Sequence, residues 1–211
     1  MHIGKCGDQR VGIANGVLPL RWRSANDADG APRSCHAVIR DLHPTQFTVG
    51  FREIERKRLQ FRAARGQARA QLLARLTIPV IVGPLGRHYV VDRHHWLRAL
   101  AAEGVHSVEI TVIADLHRLG HRAFWAELDR RGWCHPHDAD GARRDPAEIP
   151  ATIFWLRDDP FRSLASALRR VTGAVKPASL FSEFRLANAL RSQLPAGLID
   201  TDFNAALDLA V

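Results

Sequence analysis

Apolar residues along the chain alternate between a two-residue rhythm and a helical-turn rhythm, and that switching predicts an α+β fold. Residues 86–100 show it most plainly. Tyr89, Val90 and Val91 are β-formers that read as the end of a buried strand in the span His88–Val91. Trp96, Ala99 and Leu100 then fall one helical turn apart, so a helix is predicted to begin near His94 or His95, with Asp92 as its N-cap. It should run to about Glu103 and end at Gly104. Upstream, Ile78–Val82 reads as a strand, and Gly83-Pro84-Leu85-Gly86 as the turn of a hairpin with His88–Val91. Ala37–Ile39 reads as the first core strand and Leu42–Thr45 as a turn. Residues 51–76 read as helix broken near Gly66. Val108, Ile110 and Val112 alternate with Glu109 and Thr111 as in a half-buried strand. Helices are predicted over about 118–131, around Ser163–Leu168 and Phe181–Leu190, and near Ala205–Leu207; residues 133–152 read as irregular.

These elements suggest three parts: an N-terminal arm over 1–35, a core with a small mixed sheet over 36–118, and a mainly helical region over 119–211 packed on that core. Within the arm, Val17–Trp22 reads as a short strand or anchor and Ser24–Ser34 as a loop. At 211 residues the chain is long enough to bury a substantial core.

Charge sharpens this picture. The formal net charge is +8, and every basic residue except Lys5, Lys57 and Lys176 is arginine. That balance favours anionic partners, namely nucleotides, phosphorylated small molecules or nucleic acid, and is equally what a GC-rich genome produces. Cys6, Cys35 and Cys134 are too few and scattered for a disulfide framework. Lys5, Asp8, Gln9 and Arg10 interrupt any signal-peptide core, and no apolar run approaches a membrane span. A soluble cytoplasmic protein is expected; the sequence does not address oligomeric state.

The candidate chemistry collects at the strand-to-helix junction. A helix start leaves backbone N–H groups unpaired, and with the helix dipole these attract phosphate. Arg93, His94, His95 and Arg98 crowd the same end. Asp92 is placed to cap the helix or to exchange a proton, and a histidine of near-neutral pKa can bind phosphate or shuttle a proton. The bland alternative is a basic surface turn before an ordinary core helix. Glu53 and Lys57 share a helix face at i, i+4, as a surface ion pair or as a pair that puts Lys57 on a phosphate and Glu53 on Mg2+ or a substrate proton. Gly50 precedes that helix and would permit a left-handed turn.

The run Tyr89-Val-Val-Asp92-Arg93-His94-His95-Trp-Leu-Arg98-Ala99 resembles the strand, D-G-H-H-R, helix box of the ParB/sulfiredoxin superfamily. Pro44-Thr45-Gln46, Val49-Gly50 and Lys57 resemble the P-T-Q-x-x-V-G opening of its ParB-like branch, and Leu156-Arg-Asp158-Asp159-Pro160-Phe-Arg162-Ser-Leu-Ala165 resembles a further run of that branch. Phe181, Glu183 and Phe184 also match, so the resemblance covers roughly residues 40–190. It implies a ParB/sulfiredoxin-like core with a C-terminal helical extension, binding ATP, ADP or CTP through the box helix, with Mg2+ as a companion ion. Asp92, His94, His95 and Glu53 become the candidate catalytic residues, and Gln46, Gly50, Lys57, Arg93 and Arg98 the candidate ligand-binding residues. Arg93 stands where the box usually has Gly, and would either block close backbone approach or donate to a phosphate itself.

The superfamily's activities imply a phosphotransferase or nucleotide hydrolase. A ParB-like DNA-binding module is the alternative, with helices near 163–171 and 179–192 as a helix-turn-helix mimic; a nuclease using Asp138, Asp140 and Asp145 ranks behind it. Sulfiredoxin chemistry would require a cysteine in the box, which has none. Cys134, His135, His137, Asp138 and Asp140, with His117 and His121, have ligand-capable side chains but no recognised zinc spacing, so a polar loop is the preferred reading. Arg157, Asp158, Asp159 and Arg162 either close over the site or cap a helix starting near Pro160, and the sequence alone favours capping.

Overall fold

The computed structural model describes residues 33–175 and 181–211. The strand or anchor at Val17–Trp22 and most of the predicted arm, with Lys5, Cys6 and Lys176, lie outside the described residues.

A five-stranded mixed sheet in the order β1-β6-β4-β5-β2 organises the chain. β1 (Arg33–Val38) pairs antiparallel with β6 (Ser107–Asp115). β6 lies parallel to β4 (Ile78–Val82), which forms the predicted hairpin with β5 (His88–Val90). β2 (Leu42–Pro44) adds to β5 in parallel, where the sequence suggested only a turn. β4 is central, and Ile78, Pro79, Val80 and Ile81 are all buried, which explains its continuous apolar run. Ile39 falls in a 3-10 turn, Ile39–Asp41, and does not continue the first strand.

Helices cover both faces. α1 (Phe51–Ala63) and α3 (His94–Ala102) contribute Ile54, Phe61, Leu97 and Leu100 to a cluster with Ile78, Val80 and Ile110. α2 (Gly66–Ala74) follows α1 after the predicted break at Gly66. On the other face α4 (His121–Arg130) packs Phe124, Trp125 and Leu128 against Ile81, Tyr89 and Ile113. Gly104 and Gly132 follow α3 and α4 with φ of +78° and +62°, the left-handed geometry that ends helices.

α5 (Pro160–Val171), α6 (Ser182–Gln193), α7 (Ala196–Thr201) and α8 (Phe203–Ala210) share a third cluster that includes Phe161, Leu164, Leu190 and Ile199. Residues 172–181 separate α5 from α6, far more than the three or four of a helix-turn-helix turn, so the predicted mimic is not formed. Among the described residues no helix is long and apolar enough to cross a membrane.

A small parallel pairing, β3 (Thr48–Val49) with β7 (Arg157–Asp158), stitches the C-terminal helices to the core. It places two adjacent carboxylates at two helix starts. Asp158 Oδ1 accepts the Phe51 N–H of α1 at 2.6 Å, and Asp159 Oδ1 accepts the Phe161 N–H of α5 at 3.0 Å. The predicted capping role of Asp159 is therefore observed.

Candidate functional site

β5 leads into α3 through Asp92 and Arg93. Asp92 was the expected N-cap, but Arg93 takes that position, with φ of 75° and ψ of 15°. Asp92 Oδ1 accepts the Arg93 N–H at 2.7 Å, and the Arg93 side chain makes no capping hydrogen bond to the first turn of α3. That start opens onto a cavity of about 210 Å³. The left-handed conformation explains why the related box carries Gly here: a residue with a Cβ costs about 1–2 kcal/mol in it.

The two box histidines do not act as cations. His94, 2% exposed, uses Nε2 to accept the Thr45 N–H at 3.3 Å. His95 Nε2 accepts the Gly50 N–H at 2.9 Å. An imidazole nitrogen that accepts is unprotonated, so both rings are neutral. Burial lowers the His94 pKa to about 3. Burial, reinforced by the Arg162 and Lys57 charges, lowers that of His95 well below its usual value. The near-neutral pKa considered for these histidines is therefore not what burial leaves at either ring. They tie the Thr45–Gly50 segment to the box helix, which makes the two motifs one structural unit.

A pH dependence follows. The unfolded chain takes up a proton on His94 near pH 6.5 and the folded chain only near pH 3. The contribution is complete above pH 6.5 and is lost as pH falls toward 3, by up to about 1.4 kcal/mol per pH unit. Thermal melts from pH 7 to pH 4 should show a falling Tm. His94→Gln, whose amide oxygen accepts without titrating, should flatten part of that slope; an unchanged slope would refute this role for His94.

Glu53, expected as a catalytic base, sits 5% exposed at the centre of a cation cluster. It accepts from Arg56 at 2.7 and 3.0 Å, from Lys57 Nζ at 3.0 Å and from Arg170 Nη1 of α5 at 2.6 Å. Burial pushes its pKa up, but the Arg56 hydrogen bonds and the Lys57 charge outweigh burial and hold it well below the carboxylate range. A carboxylate gripped this way is a poor proton acceptor and a poor Mg2+ ligand. Lys57 Nζ also lies 4.7 Å from the Trp96 ring centroid. Gln46 is buried, with Nε2 donating to Thr48 O at 2.5 Å, and it lines the cavity with Lys57 and Arg93.

Gly50 and Arg98 need different explanations from those expected. Gly50 has φ of −89°, so left-handed freedom is not used. A Cβ there would lie 2.5 Å from Ser163 Oγ and 2.8 Å from Ser163 N, so glycine is required for close approach to α5. Arg98 faces away from the cavity. Its Nη1 donates to Ile153 O at 2.9 Å and to Phe154 O at 2.6 Å, and so fixes the 3-10 turn Ile153–Trp155.

Sequence reasoning missed the contribution of α5 and α6. Arg162, Ser166, Arg169 and Arg170 from α5, with Ser182 and Glu183 from α6, line the cavity. The available signal was the Asp158-Asp159-Pro160-Phe-Arg162 run, in which Asp159 caps α5 and Arg162 alone reaches the cavity. Six cationic side chains, Arg56, Lys57, Arg93, Arg162, Arg169 and Arg170, face the carboxylates Glu53, Asp92 and Glu183. The site is therefore electropositive.

The acidic and zinc-like sets do not converge. Asp138 accepts backbone N–H groups of Asp140 and Ala142, and Asp145 caps its own turn through the Ala147 N–H. His117 pairs with Asp115, His121 accepts from Trp125, and His135 stacks on Phe184. Burial pushes the Cys134 thiol up to about 12. Among the described residues no three His, Cys, Asp or Glu side chains are grouped to hold a metal ion.

Residues 35–192 match the family described as "Putative ParB-like nuclease". The crystal structure of protein Atu1540 from Agrobacterium tumefaciens is 41% identical, with a TM-score of 0.77, over 85% of this chain and 90% of that one. No curated protein matches the chain. With its box histidines, its P-T-Q segment and its α5 arginines all inside the matched span, the chain belongs to this ParB-like family.

Proposed function

We propose that the cavity binds the phosphate of a nucleotide or of another phosphorylated small molecule. The observation that carries this reading is the start of α3, whose N-cap side chain makes no capping hydrogen bond, opening onto a cavity where six cations face three carboxylates. Backbone strain supports it. Of the non-glycine residues described at positive φ, Leu85, Arg93 and Phe181, the last two both line the cavity. Strained conformations of this kind collect at ligand sites.

The ligand follows from size and charge. A volume of about 210 Å³ falls below the roughly 300–1,000 Å³ of pockets that enclose drug-sized ligands. The cavity suits a phosphorylated head, and the remainder of a nucleotide would extend into solvent. With Glu53 committed to cations, the chemistry this ring of charge fits is stabilisation of a phosphoryl group in transfer or hydrolysis.

The test is calorimetric titration with inorganic phosphate, ATP, ADP and CTP at two salt concentrations. Binding that weakens as salt rises supports the reading, and no binding by any of the four overturns it. Arg93→Gly should separate strain from recognition. It relieves about 1–2 kcal/mol of left-handed strain and loses about 0.5–1 kcal/mol to unfolded-chain entropy, so the variant should be stabilised by about 0.5–1 kcal/mol. It should also bind phosphate about tenfold more weakly, through loss of a charged donor.

A further inference from the structure

The α3 start accounts for one side of the cavity only. Where α5 lines it, Arg162 is 5% exposed, yet its Nε and Nη1 have no hydrogen-bond partner. Arg169 Nε and Ser182 Oγ are likewise buried and unpartnered, and Ser182 as a whole is 7% exposed. All three residues line the cavity. Buried polar atoms are otherwise almost always paired, and these orphans are all capable donors.

Their arrangement is held from behind. Glu183 Oε1 takes Arg169 Nη2 at 2.6 Å, and its Oε2 lies 3.6 Å from Arg162 Nη2. The Phe184 ring stacks on the Arg162 guanidinium, 3.5 Å from ring centroid to Cζ. One end of each guanidinium is thus fixed, and Arg162 Nε and Nη1 and Arg169 Nε are left without an acceptor. Among the described residues no oxygen supplies one, and a ligand oxygen would complete the set.

We infer that Arg162, Arg169 and Ser182 form a second anion subsite, and that the ligand is a small molecule with two anionic groups, a phosphate at the α3 start and a phosphoryl or carboxylate group here. This rests on the phosphate reading of the α3 start and adds the second group. Two anions joined in one molecule bind more tightly than either alone, because the second contact is intramolecular.

Three probes test it: inorganic phosphate with one anionic group, pyrophosphate with two phosphoryl groups, and phosphoglycolate with a phosphate and a carboxylate. At least one two-headed probe should bind about tenfold or more tighter than phosphate. A pyrophosphate advantage assigns a phosphoryl group to the second subsite, and a phosphoglycolate advantage assigns a carboxylate. Ser182→Ala should remove most of that advantage while changing phosphate affinity less than about twofold, and Arg169→Gln, which also takes a cation from the cavity, should weaken the two-headed probes more than phosphate. These variants spare the most buried residue, Arg162, whose replacement endangers folding. Arg93→Gly should weaken phosphate and the two-headed probes alike.

Equal affinity for all three probes overturns the second subsite and leaves the phosphate reading standing. So does an advantage that survives both α5–α6 variants, or a Ser182→Ala variant that weakens phosphate as much as the two-headed probes. Failure of all three probes to bind overturns both readings.

Discussion

Glu53→Ala is expected to destabilise the fold by about 3–5 kcal/mol, the usual cost of removing one partner from a buried ion pair. The reason lies in what stays behind. Arg56 and Arg170 are partly exposed and can turn toward water, but the Lys57 side chain is only 14% exposed and would be left under the Trp96 ring without its ion-pair partner. Chemical denaturation should show a lower midpoint at unchanged slope. Glu53→Leu combined with Lys57→Met should recover much of the loss, since a well-packed apolar pair often matches a buried ionic one. The deficit should depend on pH. Glu53 has a lowered folded pKa, so its contribution is present above about pH 4.5 and fades as pH falls below that. The gap between wild type and Glu53→Ala should therefore narrow in acid. A gap that stays constant from pH 7 to pH 3 would show that the carboxylate's charge is not what the fold requires.

Gly50→Ala is expected to cost about 1–3 kcal/mol, as overpacking of a tight contact does, and to weaken phosphate binding with it. The new methyl group would press on the backbone nitrogen of Ser163, and backbone cannot move aside as a flexible side chain can. α5 would have to retreat, and it carries Arg162, Arg169 and Arg170 away from the α3 start. Ser163→Ala makes a useful companion. Its hydroxyl is buried without a partner, so its loss alone should be neutral or slightly stabilising. In the double variant it removes the 2.5 Å contact but leaves the one at 2.8 Å, so rescue should be partial. Full rescue, or a Gly50→Ala protein as stable as wild type, would mean that α5 is free to adjust.

Local pattern carried much of the architecture. The β4–β5 hairpin, the strand-to-helix junction, the break at Gly66 and the helix stops at Gly104 and Gly132 all follow from rhythm and turn chemistry, and all are observed. The very short strands were not legible. β2, β3 and β7 have two or three residues each, too few for a period to show, and their pairing depends on distant partners. α7 was missed for a similar reason: it spans only Ala196–Thr201.

The site was legible in outline, but not in the partners that set the charge of its groups. Spacing located the box and the P-T-Q segment, because each is contiguous. It could not show that His94 and His95 face backbone N–H groups across a 45–49-residue separation, which fixes them as neutral acceptors. Nor could it show that Arg170 reaches Glu53 across 117 residues and turns a presumed base into a counterion. Arg162 stood inside a recognised run, but its value as a donor depends on burial, which only the packing of α5 against α6 creates.

The adjacency of Asp158 and Asp159 has an engineering consequence. One fastens the start of α1 and the next fastens the start of α5, so a single peptide unit sets the spacing between two helices that line the cavity. An inserted or deleted residue at that point would leave one rivet without its hole. Affinity tags, fluorophore loops and circular-permutation breakpoints therefore belong elsewhere on this chain.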